Sequence, residues 1–322
     1  GRRHWHAVSF LPEACATAMA AMLAEAGVTV LTSRSPLRLT AADGRITTVT
    51  LDDGSVLHPR AVIDASAEAR VAELVGCALR QGRECAAETG EPSAPEQADE
   101  RVNGVSLLYR ITPCAPTAAP AEPSCWWAPT FPVVHCVELP DGDRVLNMLP
   151  TMAGADWLAA GPEAGLIECR RRLDAHWRWL QAVWPEFRAW RIRAVAPAAG
   201  VRESRRIVAE RLLDERDVRG GLAAQRDDDL CTIADHALDT HGHGAAHGEL
   251  AAPYGVPFRC LVPVGMRNLL VACRAAGFTA IAASSCRLTR TMMQLGQAAG
   301  TACALAPDEP AGVAGPALRA AL

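Results

Sequence analysis

The stretch that most limits how this chain can fold is Ala-Val-Ile-Asp-Ala-Ser at residues 61–66, an apolar run ending on Asp64. A strand without polar alternation is the kind buried on both faces inside a parallel sheet. Two turn signals precede it, Asp43-Gly44 and Asp53-Gly54. They separate three alternating runs at residues 37–41, 46–51 and 56–59, which predicts a β-meander. Near the other end, Asn-Leu-Leu-Val-Ala-Cys at 268–273 predicts a second apolar strand, followed by a loop and a helix that begins near residue 288.

Residues 12–26 read as a helix, with Pro12 in its first turn, Ala14, Ala18, Met22 and Ala26 along one stripe and Gly27 as its cap. Residues 27–33 then predict a short buried strand. Residues 81–100 are polar and rich in Glu, Pro and Gly, the composition of a linker or loop. From 102 to 149, strand-like runs alternate with prolines and predict a second sheet. Residues 164–184 form a strong helical pattern that aligns Leu166, Arg170, Leu173 and Trp177. Its Trp177, Trp179 and Trp184 read as packed core, with a stacking platform as the alternative.

With 322 residues and half of them apolar, the chain has enough material for a sizeable core. Its formal net charge of −4 gives no basis for nucleic-acid binding, and no apolar run reaches membrane-spanning length. All 32 basic side chains other than histidine are arginine, which removes lysine Schiff-base chemistry and the P-loop lysine. The 12 cysteines are scattered with no Cys-x-x-Cys, giving no support to a zinc ribbon or an iron–sulfur cluster. They read as reduced thiols of a cytoplasmic protein.

Two polar clusters invite chemistry. Arg202, Glu203, Ser204, Arg205 and Arg206 crowd into one run. Arginine keeps its proton near neutral pH and forks onto carboxylate or phosphate. Arg202 and Arg206 are therefore candidates to anchor an anionic small-molecule substrate or a reduced cofactor, with an ion-paired structural seam as the other reading. The second cluster spans Asp235, His236, Asp239, His241, His243, His247 and Glu249. It reads as a metal site or as a solvated loop.

Three stretches, residues 24–76, 185–218 and 256–306, together resemble the FAD-dependent oxidoreductase family of glutathione-reductase-like flavoproteins. Some of its members are related to heterodisulfide reductase, from which a 4Fe-4S role is attached by association only. The run Gly-x-Arg-Glu-Ser-Arg-Arg-Ile at 200–207 is the most specific part. The resemblance implies a Rossmann-like FAD/NAD(P)-binding α/β sheet with an inserted α+β substrate domain. The expected division is 1–80 and 200–322 for the FAD-binding domain and 81–199 for the insertion.

The implied reaction moves a hydride between an organic substrate and FAD, with the electron acceptor unidentified. The implied cofactor residues are Asp64, Ala65 and Ser66 after the first apolar strand, Arg274 after the second, and Arg287, Gly296 and Gln297. Gly296 and Gly300 are expected to let the last helix sit close to the sheet. The implied catalytic residues are Arg202, Arg206 and His241, with no metal. Ala67 stands where the family usually has glycine, Cys273 stands at another expected glycine, and Ala280 to Ala283 replace polar residues. No Gly-x-Gly-x-x-Gly turn follows a strand near Gly1, so the chain reads as starting after the first βαβ unit and is expected to hold FAD poorly alone. A truncated or diverged non-catalytic homologue is the alternative, and a metal-dependent enzyme using the His236–His247 cluster is a further one.

Overall fold

The computed structural model describes residues 10–241 and 247–322, the latter without the side chain of His247. The fold is mixed α/β, with several small sheets. It divides into two compact units: Arg34–Asn103 with Arg202–Leu322, and Gly104–Val201 with the described residues before Arg34.

In the first unit the meander forms as its turn residues dictate. Strands Pro36–Ala42, Arg45–Leu51 and Val56–Leu57 pair antiparallel in that order. Asp43 and Gly44 both take positive φ, 50° and 71°, as a two-residue type I′ turn requires. Asn268 fastens the meander to the second apolar strand. Its Nδ2 donates to the carbonyls of Ile46 and Arg60, each at 3.0 Å, and its Oδ1 accepts from the Ile46 amide at 2.8 Å.

The two apolar strands, Val62–Asp64 and Leu269–Val271, pair in parallel, with Asp64 opposite Val271. Leu270 enters one core cluster while Leu269 and Val271 enter another, so this strand has no polar face because both faces are covered. Its partner is less enclosed, since Ile63 is 38 % exposed. Among the described residues this parallel ladder is two strands wide.

Past the strand end, the buried Asp64 carboxylate accepts from the amides of Ser66, Val71 and Ala72 at 2.9, 2.8 and 3.1 Å. The loop so gathered leads into the helix Arg70–Leu74. It forces Ala67 and Ala69 to φ of 68° and 55°, the left-handed region that disfavours a Cβ.

Residues 81–100 are not a free linker. Arg83 pairs with Asp99, and Glu84 and Glu91 are buried. Glu84 Oε2 accepts from the Ala280 amide at 2.9 Å, and Glu91 Oε1 accepts from Thr279 Oγ1 at 2.6 Å and from the Glu215 amide at 2.8 Å. These contacts put the segment in the first unit, whose first stretch runs to Asn103. Arg206, 1 % exposed, closes the same network. Its guanidinium pairs with Glu203, with Glu84 Oε1 at 2.8 Å and with the Gly82 carbonyl at 2.7 Å.

The second unit centres on an antiparallel sheet of Val134–Glu138, Arg144–Met148, Leu108–Pro113 and Trp190–Val195, in that spatial order. Tyr109, Ile111 and Leu146 pack with Cys169, Leu173, Trp177 and Leu180 of the helix Gly154–Val183. That helix breaks at Gly161, whose φ is 76°, and restarts at Pro162, which suits a first turn. Trp177 meets Tyr109 and Phe187 edge-on, and Trp179 stacks on Phe131, so both serve as core. The helix Pro12–Glu25 forms as expected but has no buried residue. Residues 28–33 form no strand, and Val28, Val30 and Leu31 are about half exposed.

His176 is fully buried in this unit, and burial pushes its pKa down to about 4. Its Nε2 donates to the Pro132 carbonyl at 3.1 Å, which can only accept. The neutral ring is therefore the folded form, whereas the unfolded chain takes up a proton near pH 6.5.

Three outcomes follow from this packing. Ala67→Gly raises stability by about 1 kcal/mol in urea unfolding, since glycine adopts the left-handed loop without strain. Arg206→Met lowers stability by about 3–5 kcal/mol in the same measurement, because it strands two buried carboxylates. Acidification from about pH 6.5 to 4 costs the native state up to about 3 kcal/mol at His176, and His176→Gln removes that portion of the acid transition.

Candidate functional site

The site is built within the first unit, where four segments converge. The first is the Asp64 loop. Asp64 spends its carboxylate on backbone amides, so it shapes the loop instead of facing a ligand. Ser66 Oγ accepts from the Arg70 amide at 2.9 Å, keeping its own hydrogen to donate. Ala65 precedes it in the same loop, and Glu68 lies further along, with its carboxylate 3.7 Å from Arg274.

Arg274 is the second element, following the Leu269–Val271 strand by three residues. Its side chain is 19 % exposed, and its buried Nε has no hydrogen-bond partner. Burial lowers its pKa, with Glu68 pulling the other way. Cys273 beside it is buried, and burial raises its thiol pKa.

Arg287 comes third, at the end of the short helix Ala280–Ser285. Its Nε donates to the Ser284 carbonyl at 3.0 Å and its Nη2 to Asp239 Oδ2 at 3.2 Å. Burial lowers its pKa; Asp239 and Glu203 oppose that, and the charge of Arg274 adds to it.

Asp239 and His241 form the fourth element. His241 Nε2 stands 2.6 Å from Asp239 Oδ2, and the Asp239 amide donates to Ser284 Oγ at 3.1 Å. Burial raises the Asp239 pKa, but the His241 hydrogen bond and the charges of His241, Arg287 and His236 hold it below the ordinary carboxylate range.

Arg202 belongs to this group and Arg206 does not. Arg202 is half-buried, and burial pushes its pKa down to about 10, with the charge of Arg287 adding to the effect and Asp239 opposing it. Arg206 is enclosed by Glu203 and Glu84, so the expectation that the two arginines converge is corrected. Strand geometry begins only at Arg206–Ile207, and neither a helix nor a strand carries Arg202 and Arg206 onto one face. The Ser204 hydroxyl between them is buried without a hydrogen-bond partner.

Gly296 and Gln297 lie on the exposed side of the helix Thr289–Leu305, opposite Leu295, Ala298 and Ala299. A Cβ at Gly296 or Gly300 would meet open space, so these glycines do not provide the close approach to a sheet expected of them. Ala280 to Ala283 are buried, and the polar groups at the start of their helix are Glu84, Glu91 and Thr279. The two glutamates escaped sequence reading because their partners lie more than 100 residues away; their one local sign was acidic residues within a Pro-rich stretch.

His243 and the side chain of His247 lie outside the described residues. Among the described residues no group of three or more His, Cys, Asp or Glu side chains could hold a metal ion, and no helix is long and apolar enough to cross a membrane. All 12 cysteines are free thiols.

No curated protein matches the chain. A family model described as FAD dependent oxidoreductase matches residues 1–322. The chain belongs to the FAD dependent oxidoreductase family, and its cofactor is FAD.

Proposed function

We propose that the protein moves a hydride between a small organic substrate and FAD. The observation carrying this reading is the parallel ladder, which brings the Asp64 loop and Arg274 to the same strand ends. Ligands of open α/β sheets bind beyond the carboxyl ends of parallel strands.

The donor set suits the anionic atoms of the cofactor. Arg274 carries a buried Nε without a partner, Ser66 retains a hydroxyl hydrogen, and Arg287 stands within electrostatic reach of Arg274. A desolvated guanidinium with an unmet donor favours an oxyanion strongly. In this reading Arg274, Arg287 and Ser66 hold FAD, with Ala65 giving backbone contact and Asp64 fixing the loop that presents them. FAD, when bound, supplies a two-electron acceptor. Arg202 and His241 then belong to the substrate side. A place among glutathione-reductase-like flavoproteins is part of the same proposal, supported by the order of the apolar strands and the arginine run.

The test is flavin affinity. Arg274→Met weakens FAD binding by about tenfold or more, the worth of one charge-assisted hydrogen bond. Its unfolding midpoint without flavin does not fall. Equal flavin retention in wild type and variant, measured by visible absorbance after gel filtration, would overturn the assignment.

A further inference from the structure

The flavin reading uses Arg274 and leaves the carboxylate beside it without a role. Glu68 Oε1 lies 3.7 Å from Arg274 Nη2. That separation makes an ion pair but exceeds hydrogen-bond length. The guanidinium thus has a carboxylate beside it on which no donor is spent, and its buried Nε has no hydrogen-bond partner. The two partners are unequally placed: the Arg274 side chain is 19 % exposed and that of Glu68 43 %. The carboxylate keeps much of its water, so turning it outward costs little, whereas the guanidinium has no such exit.

The backbone delivers Glu68 to this place. The Asp64 carboxylate fixes the amides of Ser66, Val71 and Ala72, and the Ser66 hydroxyl takes the Arg70 amide. Ala67 and Ala69, on either side of Glu68, are the left-handed residues of this loop. The loop is pinned before and after the glutamate, while a half-exposed side chain turns about its own bonds on a nanosecond scale. In oxidised FAD the formal negative charge is on the diphosphate. A phosphate oxygen and the Glu68 carboxylate repel one another and are drawn to the same guanidinium. Arg274 gains from a phosphate oxygen at hydrogen-bond length what Glu68 does not give it at 3.7 Å.

We propose that Glu68 is a tethered anion that competes with the diphosphate of FAD for Arg274, so that its side chain turns out to solvent when the cofactor binds. The inference rests on the flavin reading in taking Arg274 as the cofactor's arginine. Glu68 then limits how tightly the chain holds FAD instead of helping to hold it.

The experiment titrates the purified full chain, stripped of bound flavin, with FAD and follows flavin fluorescence. Riboflavin, which lacks the diphosphate, is the neutral control. Glu68→Gln keeps the size of the side chain and removes its charge. It is expected to tighten FAD by about threefold to fivefold, the worth of one partly exposed ion pair, and to leave riboflavin unchanged. In the Arg274→Met background the same change is expected to give no gain, since the two anions then have nothing to compete for. In carboxyl-carbon NMR spectra the Glu68 signal, identified by its loss in Glu68→Gln, is expected to move when FAD binds wild type.

FAD affinity that is unchanged or weaker in Glu68→Gln makes the carboxylate a support of Arg274 and overturns the proposal. A gain that persists in Arg274→Met, or extends to riboflavin, reports general charge repulsion and overturns it equally. So does a Glu68 signal that stays in place as FAD saturates the protein. FAD that binds neither wild type nor Glu68→Gln overturns the proposal together with the flavin reading. Failure of that reading alone looks different, because Arg274→Met then binds FAD as tightly as wild type.

Discussion

The first unit depends on a single buried cation. Arg206 reaches residues 82 and 84 on one side and Glu203 on the other, and Glu84 passes the connection to the amide of Ala280. Removing a guanidinium from water is costly unless every nearby charge and carbonyl is arranged to receive it. Here two carboxylates and a backbone oxygen do so, and Glu203 is in turn held by the amide and side chain of Asn103, each at 2.9 Å. The network joins three stretches far apart in sequence at the place from which the helix carrying Arg287 departs.

The arginine run beginning at residue 202 thus divides its labour. One guanidinium is spent inward on structure. Arg202, four residues earlier, feels the charges of Asp239 and Arg287. Arg205 pairs with Glu73 of the helix following the Asp64 loop. A single short run thereby ties together the core, the loop and the candidate site, which explains why arginine recurs through it.

Much of the local structure was legible from sequence because its causes are local. Asp43-Gly44 specifies a tight turn by its tolerance of positive φ, whereas the lack of alternation in residues 61–66, read as a strand buried on both faces, is met by an Ile63 that is 38 % exposed. Ala67, at a position where the family usually has glycine, takes a left-handed φ of 68°. What escaped was whatever relies on distant partners. Glu84 and Glu91 look solvent-bound in a Pro-rich stretch, Asn268 gives no local hint of its two bonds to the meander, and the separation of Arg202 from Arg206 follows from a backbone with no regular period. Residues 28–33 carry an apolar strand pattern and form no strand.

The segment from 81 to 100 changes meaning once its contacts are known. Its outward residues are free to vary like those of any surface loop, but Glu84 is an internal counterion of Arg206, and Glu91 accepts from the Thr279 hydroxyl and the Glu215 amide. Shortening such a stretch would therefore leave buried donors of the first unit without their acceptors. The part of the chain with the least hydrophobic character is, by this route, among the least dispensable to its hydrophobic core.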